Sequence, residues 1–81
     1  MTEREIKLLG FEKVDDHDGE SPFYYYTYSV ALGFEFISCA NDEVESDEWY
    51  VEFFESDPAI RFTRFSEVQA LLNMLEKRII K

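Results

Sequence analysis

The sequence predicts an α+β fold: an antiparallel sheet of four to five strands, run as a meander, with a C-terminal amphipathic helix packed on one face and a short N-terminal helix. Three observations carry this reading. The middle of the chain holds successive aromatic and β-branched runs separated by Gly, Pro, Asp and Asn, the composition of strands joined by turns. The segment from Ser66 to Ile79 instead spaces its apolar residues three and four apart, the period of a helix. Hydrophobic residues make up 46% of the 81 and aromatics 17%, enough to form the core of one domain despite a net charge of -10.

Taken in order, Thr2 with Glu5 three residues later reads as a capping box, and Gly10 as a left-handed stop, which places a helix over Glu3 to Leu9. At barely two turns it needs Ile6, Leu9 and Phe11 to dock on the rest of the fold. Phe11 to Val14 starts a first strand, and Asp15 to Pro22 is a solvated loop of turn residues. Phe23 to Ala31 is the clearest strand, and Phe34 to Ala40 follows across a tight turn in which Gly33 supplies a positive φ. Asn41 to Glu48 is a polar loop. Trp49 to Glu55 and Ile60 to Arg64 are two more strands, joined by a turn at Ser56 to Ala59 that contains Pro58. Ser66 opens the last helix with a second capping box to Gln69, and Val68, Leu71, Leu72, Leu75 and Ile79 form its apolar stripe. Glu67 near its start and Lys77, Arg78 and Lys81 near its end oppose the helix dipole, each contributing about 0.3 to 1 kcal/mol.

Strand alternation sorts the side chains into two sets. With ordinary pairing and no bulge, Phe34, Phe36, Val51, Phe53, Ile60 and Phe62 face the C-terminal helix. Tyr24, Tyr26, Tyr28, Ile37, Cys39, Tyr50 and Phe54 fall on the other face beside Glu35, Glu52, Arg61 and Thr63. One helix covers one side of a sheet, so the second face is closed either by the N-terminal helix or by a partner.

Charge is uneven. Residues 1 to 60 hold sixteen acids and three bases, residues 61 to 81 two acids and five bases, giving -13 and +3. Between Asp42 and Asp57 stand eight acids and no base, a field that steers a positively charged partner or serves solubility alone. Direct binding to nucleic acid, which needs clustered Lys and Arg, is not expected, and the acidic surroundings disfavour reading the tyrosines as a base-stacking platform. A lone cysteine, Cys39, makes no intramolecular disulfide and fits a reducing cytoplasm. Met1 to Gly10 lacks the basic and long apolar regions of a secretion signal, and no run approaches the roughly 20 apolar residues of a membrane span. No membrane association is expected.

The chain offers little chemistry. His17 sits among Asp15, Asp16 and Asp18 as an ordinary loop histidine, and Cys39 reads as a small, partly buried apolar residue, so neither forms a diagnostic catalytic pair. Aligned as an EF-hand on Gly19, the acidic loop puts Val14 at its first ligand position and Tyr25 at its last, so the motif fails at both ends. One Cys and one His fall short of a zinc set, and Gly10, Gly19 and Gly33 write no phosphate-binding loop. No cofactor, no metal and no enzymatic activity are expected.

The Leu9-Gly10-Phe11 start, the aromatic strands and the helix ending in Leu75-Glu76-Lys77-Arg78-Ile79 together resemble the small acidic single-domain proteins of bacteriophages and prophages. The resemblance lies in layout, and no functional residue is carried over from it. The expected function is a small non-enzymatic protein-interaction module, self-associating as a homodimer or bound to another protein through the aromatic face of Tyr24, Tyr26, Tyr28, Tyr50 and Phe54 and the acidic loop of Asp42, Glu43, Glu45, Asp47 and Glu48. The alternative is an acidic mimic of DNA that inhibits a nucleic-acid-binding enzyme, with Glu52, Glu55 and Asp57 adding to the loop acids as phosphate substitutes.

Overall fold

The structure, a computed structural model, describes residues 1–16 and 23–80. Along the chain lie α1 (Glu3–Leu8), β1 (Glu12–Asp16), β2 (Phe23–Ala31), β3 (Phe34–Ser38), a 3-10 turn (Asn41–Glu43), β4 (Val51–Phe53), β5 (Arg61–Phe62) and α2 (Phe65–Lys77). The strands form one antiparallel sheet in the order β1-β2-β3-β4-β5. The α+β class and the meander therefore hold.

Helix α1 starts as its sequence dictates. Thr2 Oγ1 accepts from the Glu5 amide at 3.2 Å and Glu5 Oε1 accepts from the Thr2 amide at 2.9 Å, closing the capping box. Gly10 ends it at φ 96°; a Cβ there would sit 3.5 Å from the Tyr28 ring, so conformation rather than space demands glycine. Asp15 and Asp16 are not loop residues: they belong to β1 and pair with Tyr24 and Phe23. The remainder of the expected loop, His17 to Pro22, lies outside the described residues.

One residue in β2 overturns the expected sorting of the tyrosines. Beyond the Leu32-Gly33 turn Ala31 pairs with Phe34, but Ser29 then pairs with Glu35, so Val30 is the extra residue of a bulge. Without it Tyr28 would oppose Ile37; with it Tyr28 opposes Phe36, and paired residues of an antiparallel ladder share a face. Tyr24, Tyr26 and Tyr28 therefore join Phe36, Phe53, Val51 and Phe62 on the helix-covered face. Tyr25, Thr27, Ile37, Glu52 and Arg61 take the other.

Helix α2 also departs from its expected ends. Its N-cap is Arg64, whose side chain makes no capping bond, and Ser66 lies inside the first turn. The Val68 amide already donates to the Arg64 carbonyl at 3.3 Å, so the helix begins at the half-buried Phe65. At the other end Arg78 caps the helix and Ile79 lies beyond it.

Both helices lie on the same side of the sheet. Ile6, Phe11, Tyr26, Phe36, Trp49, Val51, Val68 and Leu72 form the core with Cys39, each almost fully withdrawn from solvent. Each large apolar side chain buried in this way contributes roughly 1.5–3 kcal/mol. The Tyr26 hydroxyl donates to Glu3 on α1 at 2.6 Å, and the Tyr28 hydroxyl donates to Glu76 on α2. Where β3 turns away from β2, side chains continue the ladder: the Tyr26 amide donates to Ser38 Oγ and the Tyr24 amide to Asn41 Oδ1, both at 2.8 Å. Among the described residues no helix is long and apolar enough to cross a membrane.

Candidate interaction surface

Among the described residues every buried side-chain polar atom has a hydrogen-bond partner, and no group of three His, Cys, Asp or Glu residues is placed to hold a metal ion. Unsatisfied character lies instead in exposed apolar side chains, the informative departure from ordinary burial.

Three of these meet at the hairpin end of β3 and β4. Phe34 is 40% exposed, Phe54 49% and Ile60 48%, and with Phe53 as floor they line an open cleft of about 330 Å³. The local chain explains its shape. Gly33, at φ 83°, turns the chain into β3, and a Cβ on it would meet nothing, so its conformation alone requires glycine. After β4 the Phe54 amide donates to the Glu35 carbonyl at 2.9 Å, while Glu55 adopts a left-handed φ of 61°. Phe54 thus lies opposite Glu35, one position past β4, with its side chain exposed. Ser56 closes the turn by donating Oγ to the Phe53 carbonyl at 3.3 Å, and the Phe53 amide reaches the Ile60 carbonyl at 3.4 Å. The Phe34 and Phe53 rings pack edge to face at 5.3 Å, so half of the cleft is anchored to the core. Glu35 lines the same hollow, and Glu55 adjoins it beside Phe54. The rim is acidic.

The expected candidates divide. Phe54 stands in this cleft. Tyr26 is 1% exposed and Tyr24 and Tyr28 are half-buried against the same core, so these three serve packing and the contacts to Glu3 and Glu76 rather than an open aromatic face. Burial and then the bond to Glu3 push the Tyr26 phenol well above its ordinary pKa. Tyr50 lies on the side opposite Val51, but the Arg61 guanidinium sits 3.8 Å over its ring and Arg61 Nε also binds Glu52 at 2.9 Å, which occupies both. Burial, followed by the charge of Glu43, raises the Tyr50 pKa. Cys39 is buried next to Tyr50 in the ladder, and burial raises its thiol pKa, which withholds the thiolate.

Asp42, Glu43, Glu45, Asp47 and Glu48 are all exposed, at the opposite end of β4 from Phe54. Glu43 is partly spent on structure, its Oε1 accepting from the Ala40 amide at 3.0 Å. Ser46 and Asp47, at φ 52° and 59°, form a tight turn closed by the Glu45 to Glu48 bridge. Cleft and acidic loop are thus separate features.

Alternation places Phe34 and Ile60 on the covered face, and the register agrees. What alternation omits is how far a helix of thirteen residues, about 20 Å long, reaches along its face: Phe34 and Ile60 share that face and are nonetheless exposed. Comparison of the chain with protein-family models, with curated proteins and with solved structures gave no match in any of the three.

Proposed function

We propose that this chain is a non-enzymatic protein-interaction module whose recognition element is the cleft of Phe34, Phe54 and Ile60. The observation that carries the reading is the convergence of three large, half-exposed apolar side chains in one hollow with Glu35 and Glu55 beside it. Covering such side chains returns about 25 cal/mol for each Å² of apolar surface, and aromatic anchors of this kind dominate binding energy where they are desolvated. The acidic rim selects the partner: a protein segment that joins apolar side chains to positive charge gains attraction there, and an acidic one is repelled.

Selection of random displayed peptides on the full chain, with counter-selection on Phe54→Asp, tests this. Enriched peptides should pair bulky apolar residues with Lys or Arg, and Phe54→Ala should weaken them about tenfold or more. Peptides that bind wild type and Phe54→Asp equally, or no enrichment at all, would remove the proposal. Phe54 is half-exposed, so the variant keeps its core.

A further inference from the structure

We infer that the segment this cleft takes is Arg78 to Ile80 of a second copy of the chain, so that copies associate head to tail. The inference rests on the reading of the cleft given above. Helix α2 ends at Lys77, and the Arg78 amide closes it on the Leu75 carbonyl at 3.0 Å. Past that cap Ile79 is 40% exposed and Ile80 96%, so the chain's own fold leaves both bare. The two branched apolar side chains follow directly on Lys77 and Arg78, the chemistry that a three-sided apolar hollow edged by Glu35 and Glu55 complements.

Charge separates this arrangement from its rival. If two clefts met face to face, Glu35 and Glu55 of each copy would oppose those of the other, and like charges across a contact are costly. Seating the basic segment in the cleft brings opposite signs together and removes apolar surface from both sides. Each copy then carries one projection and one hollow at different places on its surface. A contact of that type is heterologous, and it grows into a chain or closes into a ring instead of stopping at two.

Sedimentation of the full chain over a concentration series tests the arrangement. Wild type should exceed dimer mass as concentration rises, and association should weaken when salt shortens the Debye length from about 10 Å to about 3 Å. Phe54→Asp and Ile80→Asp should each be monomeric, with unchanged Trp49 fluorescence showing intact folds. Their mixture is the decisive sample: Ile80→Asp keeps a working cleft and Phe54→Asp a working segment, so the pair should form a one-to-one dimer and stop. A wild-type chain that stays monomeric, an Ile80→Asp chain that assembles as wild type does, or a mixture that stays monomeric would each overturn the inference. Peptides selected on the cleft in a Phe54-dependent way would still uphold the interaction module in those cases, so the two failures are separable. Charge exchange provides a second reading. Arg78→Glu should reduce assembly, and mixing it with Glu55→Arg should restore a contact between the two.

Discussion

The hydroxyl of Tyr26 turns a core side chain into a link between layers. Its ring packs against Trp49 at 5.8 Å while its oxygen reaches Glu3 on α1, so one residue joins sheet, loop and helix. The same contacts set a pH dependence. Tyr26 ionises well above the ordinary tyrosine value because of burial and Glu3; Tyr28 shifts in the same direction, first through its bond to Glu76, and Tyr24 through burial. The folded chain therefore holds these protons more tightly than the unfolded one. The stability they contribute is whole below pH about 10 and is lost as pH rises through the raised folded-state values. Tyr26→Phe should lower stability by about 1.5–3 kcal/mol at neutral pH, the usual worth of a hydrogen bond to a charged group. It should also flatten the fall of the urea midpoint above pH about 10. An unchanged slope would show that Tyr26 is not the group that titrates. Glu55 stands at the opposite pole: its left-handed backbone is costly for any residue with a Cβ, and it lies beside Phe54 at the edge of the cleft.

At the scale of elements, what the sequence made legible was whatever a short window determines. The capping box of Thr2 and Glu5, the aromatic run from Phe23 to Ala31 and the glycine at 33 each act within a few residues, and each stands where the pattern placed it. The bulge at Val30 was not legible, because nothing in the run itself marks an extra residue; the packing of Tyr26 and Tyr28 against both helices selects it. One such slip exchanged the two faces of β2, moved Tyr26 into the core and laid Tyr24 and Tyr28 half-buried against it. The start of α2 departs similarly: Ser66 has the better capping side chain, but the helix begins at Phe65 with Arg64 as its N-cap. That leaves a helix N-terminus with a cation and no side-chain cap, an arrangement unfavourable to the dipole. Arg64→Ser should therefore stabilise the fold by about 0.5–1 kcal/mol, read as a higher urea midpoint at constant slope. A lower midpoint would mean that the Arg64 side chain contributes packing that exceeds the value of a cap.

Across the whole molecule, two helices on one face and a net charge of -10 pull in different directions. The shared face gives a small chain one core with aromatic, β-branched and aliphatic members, without a disulfide, since Cys39 is the only cysteine. The acids crowd the part of the chain that is not helix: eight lie from Asp42 to Asp57 with no base among them, so they repel one another in the compact state more than in the unfolded one. Added salt should thus stabilise the monomer by screening that repulsion, while it weakens a head-to-tail contact made of opposite charges. Ile80→Asp separates the two effects, because it should remain monomeric throughout. Its melting temperature should rise with sodium chloride, a gain of about 1 kcal/mol corresponding to about 4–8 °C for a domain of this size. Over the same range the wild-type assembly should dissociate. If the melting temperature of Ile80→Asp fell with salt, the acids would be held in favourable pairs rather than in mutual repulsion, and the acidic loop would then count as part of the scaffold and not as a charge held free for a partner.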